Sequence, residues 1–203
     1  IAGQGVTAIA VNMAAGEGPS LYLEEQLEVV RVCREVAAGR CPIYSGLIAR
    51  NTEEAVANGR ALKAAGAEGL TVFVPFPTFL GNPVPAEMVY RYHKAIADGV
   101  DLPLVVFQFP KAFGPDYPPE TIRRIAEIPQ VVALKEAAFD SSTCVRTIET
   151  IRSLPREMTV LTGSDDIILE SLLMGCDGAL IGFAGTATDE LVAMHRAAVK
   201  RDF

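Results

Sequence analysis

The segment Val131-Val132-Ala133-Leu134-Lys135-Glu136-Ala137 places a charged side chain at the end of an apolar run. A short apolar run of this kind is typical of a strand buried on both faces, as in a parallel sheet. Side chains alternate along a strand, so we expect Lys135 to share one face with Val131 and Ala133, and Glu136 to lie on the other. Lys135 then stands at the carboxyl end of a buried strand, where α/β folds carry their active sites.

A lysine in this position has two interpretations. An ammonium that loses its hydration has a lowered pKa, and the neutral amine can then attack a carbonyl carbon and form a Schiff base. Alternatively, the side chain of Lys135 reaches solvent or pairs with a nearby carboxylate, which is an ordinary role for a lysine at a strand end. The segment alone leaves both interpretations open.

Length, composition and charge restrict the class of protein. The chain has 203 residues, 50% of them hydrophobic, which suffices for one domain with a sizeable core over residues 1–203. The formal net charge is −7 and the longest basic cluster is Arg123-Arg124. Such a surface argues against nucleic acid or an anionic membrane as a partner. The sequence shows neither a run long enough to span a membrane nor a signal segment, so we expect a soluble cytoplasmic protein.

Metal-binding and acid–base residues are sparse. The four cysteines are widely spaced and, with two histidines, form no zinc motif, so we expect reduced thiols and no metal. His93 and His195 fall in helical segments and are predicted to be partly exposed surface residues. Asp165-Asp166 follow a predicted strand and could bind a metal, but capping of the next helix by Ser164 or Asp165 explains them better.

Strand and helix patterns alternate along the whole chain. Apolar runs predict seven strands at residues 6–11, 43–48, 70–74, 103–109, 131–137, 158–161 and 179–183. Helix signals separate them, including Asn51 as a cap and Gly66 as a stop, a helix from about Pro119, another over residues 141–152, and one ending at Gly175. This alternation predicts one α/β domain with a parallel sheet.

The choice between an open sheet and a barrel is less direct. No nucleotide-binding glycine motif follows any predicted strand, and Gly16-Glu17-Gly18 resembles one only loosely. Seven strands are one fewer than a (β/α)8 barrel requires. Residues 1–5 look like the end of a helix and its cap, so we expect an N-terminal strand–helix unit to be absent from this sequence.

Around Lys135, the tetrapeptide Leu134-Lys135-Glu136-Ala137 resembles the dihydrodipicolinate synthase / N-acetylneuraminate lyase family of class I aldolases. Further segments resemble the family in the same order along the chain: Gly16-Glu17 with Leu21 and Glu25, residues 51–55, residues 92–97, Pro110 with Gly114, residues 161–165 and residues 175–178. The resemblance implies a (β/α)8 TIM barrel, of which this chain would supply strands 2–8 and lack the first strand and helix and the C-terminal helices. It also implies a homo-oligomer, a tetramer or dimer.

The resemblance also implies a site and a chemistry. Lys135 would form an imine with pyruvate or another 2-oxo acid, and neither a metal nor an organic cofactor would be needed. Two threonines of the family fall at Ala14 and Ala15, the tyrosine that acts as acid and base falls at Phe107, and the relay tyrosine falls at Pro77. The position of the synthases' arginine falls at Ala112, one residue from Lys111. The residues assigned to substrate binding are Ala14, Ala15, Phe107, Lys111, Gly163 and Gly182.

These departures remove the family's proton-transfer groups, which makes dihydrodipicolinate synthesis itself improbable. The polar residues near strand ends are Glu17, Tyr44 and Gln108, and none is an obvious substitute. Phenylalanines near the mouth would suit a hydrophobic substrate arm: Phe76, Phe107, Phe109, Phe113 and Phe183. The leading hypothesis is a Schiff-base lyase, aldolase or dehydratase acting on a 2-oxo acid. The alternative is a non-catalytic member that binds a carboxylate metabolite or serves as an assembly partner.

Overall fold

The computed structural model describes residues 1–75, 85–110 and 117–202. Within these residues the strands are β1 (Ile9–Val11), β2 (Ile43–Leu47), β3 (Gly69–Val72), β4 (Leu104–Gln108), β5 (Val131–Glu136), β6 (Thr159–Thr162) and β7 (Gly178–Ala179). The α-helices are α1 (Leu23–Ala37), α2 (Thr52–Ala65), α3 (Ala86–Val100), α4 (Pro119–Ile125), α5 (Ser141–Arg152), α6 (Ile168–Met174) and α7 (Thr188–Lys200).

All neighbouring strands of the described sheet are parallel, and their spatial order is the order of the chain, from β1 to β7. A doubly wound sheet reverses its strand order at a switch point, and this sheet contains no such reversal. Right-handed crossovers wound in one direction place the helices on one face of the sheet. The fold is therefore α/β of the TIM-barrel type, and the numbering of these strands as barrel strands 2–8 stays a prediction.

Two of the apolar clusters formed by the described residues lie on the two faces of the sheet. The larger one lies between the strands and the helices and includes Leu104, Leu134 and Ile148. The smaller one fills the inner face and is made of Met13, Phe73, Phe107 and Ala137, with partly buried side chains packed around them. No helix in the described ranges combines the length and the apolar character needed to cross a membrane.

The β5 segment departs from the alternation predicted for it. Leu104 pairs with Val131, but the next residue, Val105, pairs with Ala133, so Val132 is an extra residue in the ladder. Val132 is 38% exposed, whereas Val131 is fully buried in the outer core. The prediction that Val131 shares the face of Lys135 is therefore wrong, because the bulge changes the face on which the residues before it lie.

Several local signals are confirmed. Helix α5 has the predicted bounds, and α4 begins at Pro119. The Oδ1 atom of Asn51 accepts a hydrogen bond of 2.9 Å from the backbone N–H of Glu54, which caps α2. Gly66 ends that helix with φ of +110°, a conformation that glycine adopts without strain.

The first and last strands are shorter than predicted because their partners limit them. Strand β1 begins at Ile9, which pairs with Ile43, the first residue of β2. Strand β7 pairs with the end of β6, and beyond the bond from Leu180 N–H to Thr162 the chain enters a 3₁₀ turn at Gly182–Gly185. Apolar residues outside such pairings do not form a ladder.

The prediction for His93 is wrong, and that for His195 is confirmed. His93 has no exposed surface, because α3 packs against both α2 and α4, and its Nδ1 lies 2.8 Å from the carbonyl oxygen of Val89. Burial lowers the pKa of His93 to about 4, so the ring is neutral at pH 7. His195 is partly exposed, with Nε2 3.1 Å from the carbonyl oxygen of Asp177.

One arginine fixes the amino end of β5. The Arg156 guanidinium donates hydrogen bonds to the carbonyl oxygens of Ala126 at 3.0 Å, Ile128 at 2.8 Å and Val131 at 2.6 Å. A planar guanidinium with several donors suits such convergent carbonyls. The Arg156 guanidinium therefore ties the start of β5 to the loop that precedes the strand.

Two adjacent valines test the bulge. We expect Val131→Ala to lower the free energy of unfolding by about 2–3 kcal/mol, because it leaves a cavity in a closed core. Val132→Ala should cost less than about 1 kcal/mol, because the bulged side chain is partly in water. Urea denaturation of the two variants measures the difference, and equal losses would contradict the bulge.

Candidate active site

Lys135 lies at the carboxyl end of β5 on the inner face of the sheet. It pairs in register with Phe107 of β4, and its Nζ lies 4.1 Å from the centre of the Phe107 ring. Lys135 is 8% exposed and forms no ion pair with any residue that the structure describes. The interpretation as an ordinary solvated or ion-paired lysine therefore does not fit this geometry.

Aromatic rings form one wall around the amine. The Phe107 ring centre lies 5.1 Å from that of Phe73 and 4.5 Å from that of Phe109. Met13 and Leu180 belong to the same apolar cluster. These groups offer no hydrogen-bond acceptor to an ammonium, although the face of a ring attracts a cation weakly.

Loss of hydration makes Lys135 a better nucleophile. Burial lowers its pKa from 10.5 to about 8, against the opposing effect of the Asp165 carboxylate, which raises it. With this pKa about 10% of the amine is neutral at pH 7, compared with about 0.03% for an ordinary lysine. A large neutral fraction is what attack on a carbonyl carbon requires.

A buried polar pair fixes the reverse side of the same two strands. Gln108 Nε2 donates to Glu136 Oε1 at 3.1 Å, and the backbone N–H of Ala138 donates to the same oxygen at 2.9 Å. Gln108 Oε1 accepts from the backbone N–H of Tyr117 at 3.1 Å. Burial raises the pKa of Glu136. These bonds hold the ends of β4 and β5 together behind Lys135.

Gly163 closes the space beside the lysine. A Cβ atom on Gly163 would lie 2.6 Å from Cε of Lys135 and 2.8 Å from Cβ of Ala137. Any side chain there would displace the lysine, so the close approach of β6 to β5 requires glycine.

Unpaired backbone amides lie at the carboxyl side of β1. Ala14 and Ala15 begin the 3₁₀ turn Ala14–Gly16 and are exposed, and their N–H groups donate no hydrogen bond within the described residues. Gly182, after β7, approaches this turn so closely that a Cβ on it would lie 2.7 Å from Cβ of Ala15. The turns that follow β1 and β7, the first and last strands of the described sheet, are therefore in contact.

Comparison with known proteins identifies the family. Residues 2–202 match the model of the Dihydrodipicolinate synthetase family. The chain belongs to this family.

Relatives match over nearly the whole chain. The 4-hydroxy-tetrahydrodipicolinate synthase of Methylococcus capsulatus is 33% identical over 200 residues, and that of Leptothrix cholodnii is 32% identical over 199 residues; both alignments cover 98% of this chain. The chain spans 66% of the length of each. A crystal structure of the chloride-inhibited Acinetobacter baumannii dihydrodipicolinate synthase complexed with pyruvate is 31% identical, with a TM-score of 0.87, covering 98% of this chain and 66% of that one.

Within this family's fold, the predicted site residues fall into two groups. Phe107 and Gly163 lie against Lys135, whereas Ala14, Ala15 and Gly182 lie together at the edge of the sheet. Five residues that were given a place in the site or at its mouth lie outside the described residues, and their roles stay predictions: Phe76, Pro77, Lys111, Ala112 and Phe113.

The polar residues considered as substitutes for the family's tyrosine lie elsewhere. Gln108 faces the helices and bonds to Glu136. Tyr44 lies near the amino end of β2 across from Gly69, whose Cβ would meet its ring at 2.1 Å. Glu17 is exposed in the turn after Ala14–Gly16.

The expected helix cap at Ser164 or Asp165 is wrong. The N-cap of α6 is Ile167, and no side chain bonds to that end of the helix. The Asp165 Oδ1 atom instead accepts a hydrogen bond of 3.0 Å from the backbone N–H of Phe183. The sequence signals the proximity of Asp165 to Lys135 only through its position two residues after Gly163.

In the described part of the chain, no three His, Cys, Asp or Glu residues form a group able to hold a metal ion.

Replacing the buried amine should stabilise the fold. We expect Lys135→Met to raise the free energy of unfolding at pH 7 by up to about 3 kcal/mol, because the folded pKa lies below the unfolded one. The gain is greatest below pH 8. It shrinks between pH 8 and 10.5, because the folded lysine is neutral there and removing the proton from the unfolded lysine costs less as the pH rises. Denaturation of both proteins at pH 7 and pH 10 checks this, and a gain that is the same at both values would contradict it.

Proposed function

We propose that this protein forms a Schiff base between Lys135 and the ketone of a 2-oxo acid. The observation that carries the proposal is the lysine itself, buried at the carboxyl end of a central strand and held largely free of its hydration. Attack of the neutral amine on C2, followed by loss of water, gives an imine that withdraws electrons from neighbouring bonds once it is protonated. A lyase, aldolase or dehydratase reaction uses that electron sink without a metal or an organic cofactor.

The Ala14 and Ala15 amides would hold the substrate carboxylate. Two adjacent N–H groups that have no partner among the described residues suit a carboxylate oxygen, and they lie at the same end of the sheet as Lys135. The alanine side chains supply no hydroxyl to move a proton, so this subsite binds and orients. Pyruvate is the smallest 2-oxo acid whose carbonyl group is a ketone.

The other end of the substrate would meet the phenylalanines. Phe107 and Phe109 form an apolar wall beside the amine. A 2-oxo acid with a hydrophobic arm gains from burial there, whereas a charged arm loses hydration without a partner.

A second candidate is a non-catalytic member that binds a carboxylate metabolite or serves as an assembly partner. The specific observation in its favour is Phe107, which has no proton to give where the family uses a tyrosine. The lowered pKa of Lys135 favours the enzyme, since a lysine that serves only as structure gains nothing from losing its hydration.

Borohydride trapping tests the imine. Incubation with pyruvate or with 2-oxo acids that carry bulkier apolar arms, followed by reduction, should add the mass of the reduced acid to a peptide containing Lys135. Because the neutral amine is the nucleophile, the initial rate should rise about tenfold from pH 7 to pH 9 and then level off. Lys135→Ala is the control, and a folded protein that traps no member of the panel would refute the aldolase chemistry.

Phe107→Tyr separates the two candidates. If the imine forms and no other group already transfers the proton, turnover should rise by roughly 10²-fold. Phe109→Tyr adds a phenol to the neighbouring position and serves as the matched control. Under the non-catalytic alternative, the tyrosine variant stays inactive with every acid of the panel.

Self-association into a dimer or tetramer remains a prediction from the family resemblance, as does a cytoplasmic location. Light scattering of the purified protein measures the first. The absence of nucleic-acid and membrane partners stays a prediction from the net charge of −7.

A further inference from the structure

Imine chemistry requires a group that moves protons near Lys135. Formation of the imine expels water, and formation of an enamine removes a proton from C3 of the substrate. Phe107 supplies neither a donor nor an acceptor, and the inner wall formed by Met13, Phe73 and Phe107 is apolar. The proposed function is therefore chemically incomplete without another ionisable group.

Asp165 is placed to fill this gap. The residue follows β6 closely, and Gly163, two positions earlier, lies directly against Cε of Lys135. Its carboxylate is exposed, and Oδ2 makes no hydrogen bond to the described residues. Oδ1 is anchored by the backbone N–H of Phe183, next to Gly182 and hence to the turn that carries Ala15. Asp165 thus follows the strand end that packs against Lys135, and it is bonded to the segment that contacts the proposed carboxylate subsite.

Electrostatics supports the same placement. Among the described residues, the Asp165 carboxylate is the charge that raises the pKa of Lys135 against the effect of burial. An anion that favours the ammonium also favours a protonated imine at the same nitrogen. The neighbouring Asp166 is exposed and has no such effect on the lysine.

We propose that Asp165 is the catalytic acid and base of this site, in the role that a phenol at position 107 would otherwise fill. In the enamine-forming step its carboxylate takes a proton from C3 of the substrate. The electrons of that C–H bond form a C2–C3 double bond, and those of the C2–N double bond move to the nitrogen. The reverse step returns the proton to C3. This inference rests on the proposed imine at Lys135.

The matched variants are Asp165→Asn and Asp166→Asn. Asparagine keeps an oxygen that can accept the bond from Phe183 N–H, so the first variant removes the proton-transferring carboxylate while retaining the anchor. The second removes one neighbouring charge and leaves the anchor untouched. A double variant, Phe107→Tyr with Asp165→Asn, supplies a proton donor from β4, on the other side of β5.

The experiment measures two steps separately in the full chain. Borohydride trapping with pyruvate reports the imine, and NMR in deuterated water reports the exchange of C3 protons of pyruvate through the enamine. We expect Asp165→Asn to trap an adduct at Lys135 at long incubation but to lose C3 exchange by about 10²-fold or more, the scale of positioned proton transfer. Asp166→Asn should exchange at the parent rate, and the double variant should recover exchange.

The outcomes distinguish this inference from the proposed function. If the parent protein and Asp165→Asn both trap an adduct, and Asp165→Asn exchanges C3 protons at the parent rate, the role of Asp165 is overturned and the imine at Lys135 stands. A second result also overturns the role of Asp165. If Asp165→Asn and Asp166→Asn lose exchange equally, and the added tyrosine does not restore it in the double variant, the loss is a general effect of charge. Failure of the parent protein to trap any adduct refutes the proposed function, and this inference with it.

Discussion

The extra residue at Val132 determines which face of the sheet carries the reactive amine. Without it, the pairing of Leu104 with Val131 would continue until Gln108 stood opposite Lys135, on the side of the helices. With it, Phe107 pairs with Lys135 on the inner face, and Gln108 pairs with Glu136 on the outer one. Because a shift of one residue exchanges the two faces of a strand, the whole site depends on this single irregularity.

The two faces of β5 then perform opposite tasks. On the outer side the Glu136 carboxylate is buried and provided with hydrogen-bond donors, so it contributes to the register of the sheet. On the inner side the Lys135 amine is buried and has no hydrogen-bond acceptor in the part of the chain that the structure describes. The same loss of hydration that makes the amine reactive therefore opposes folding, and the compensation lies in the apolar core and the polar pair behind it.

Sequence reasoning was most successful where the chain determines its own conformation. The cap at Asn51, the stop at Gly66 and the bounds of α5 depend on neighbouring residues and were predictable. The burial of His93 and the bulge at Val132 depend on which elements pack together, which a pattern of hydrophobicity does not specify. Asp165 was missed for the same reason, because its partner Phe183 comes from a different strand end. The family resemblance, by contrast, located Lys135, Phe107 and Gly163 beside one another.

Arg156 anchors β5 at its amino end, whereas the reactive amine lies at the carboxyl end of the same strand. Arg156 holds the carbonyl oxygens of Ala126, Ile128 and Val131, about 13 Å along the strand from Lys135. The strand is thus anchored at the end that does no chemistry. Substitutions at the carboxyl end of β5 therefore leave the contacts of Arg156 intact. Such an arrangement lets a lineage explore new substrates while the protein continues to fold.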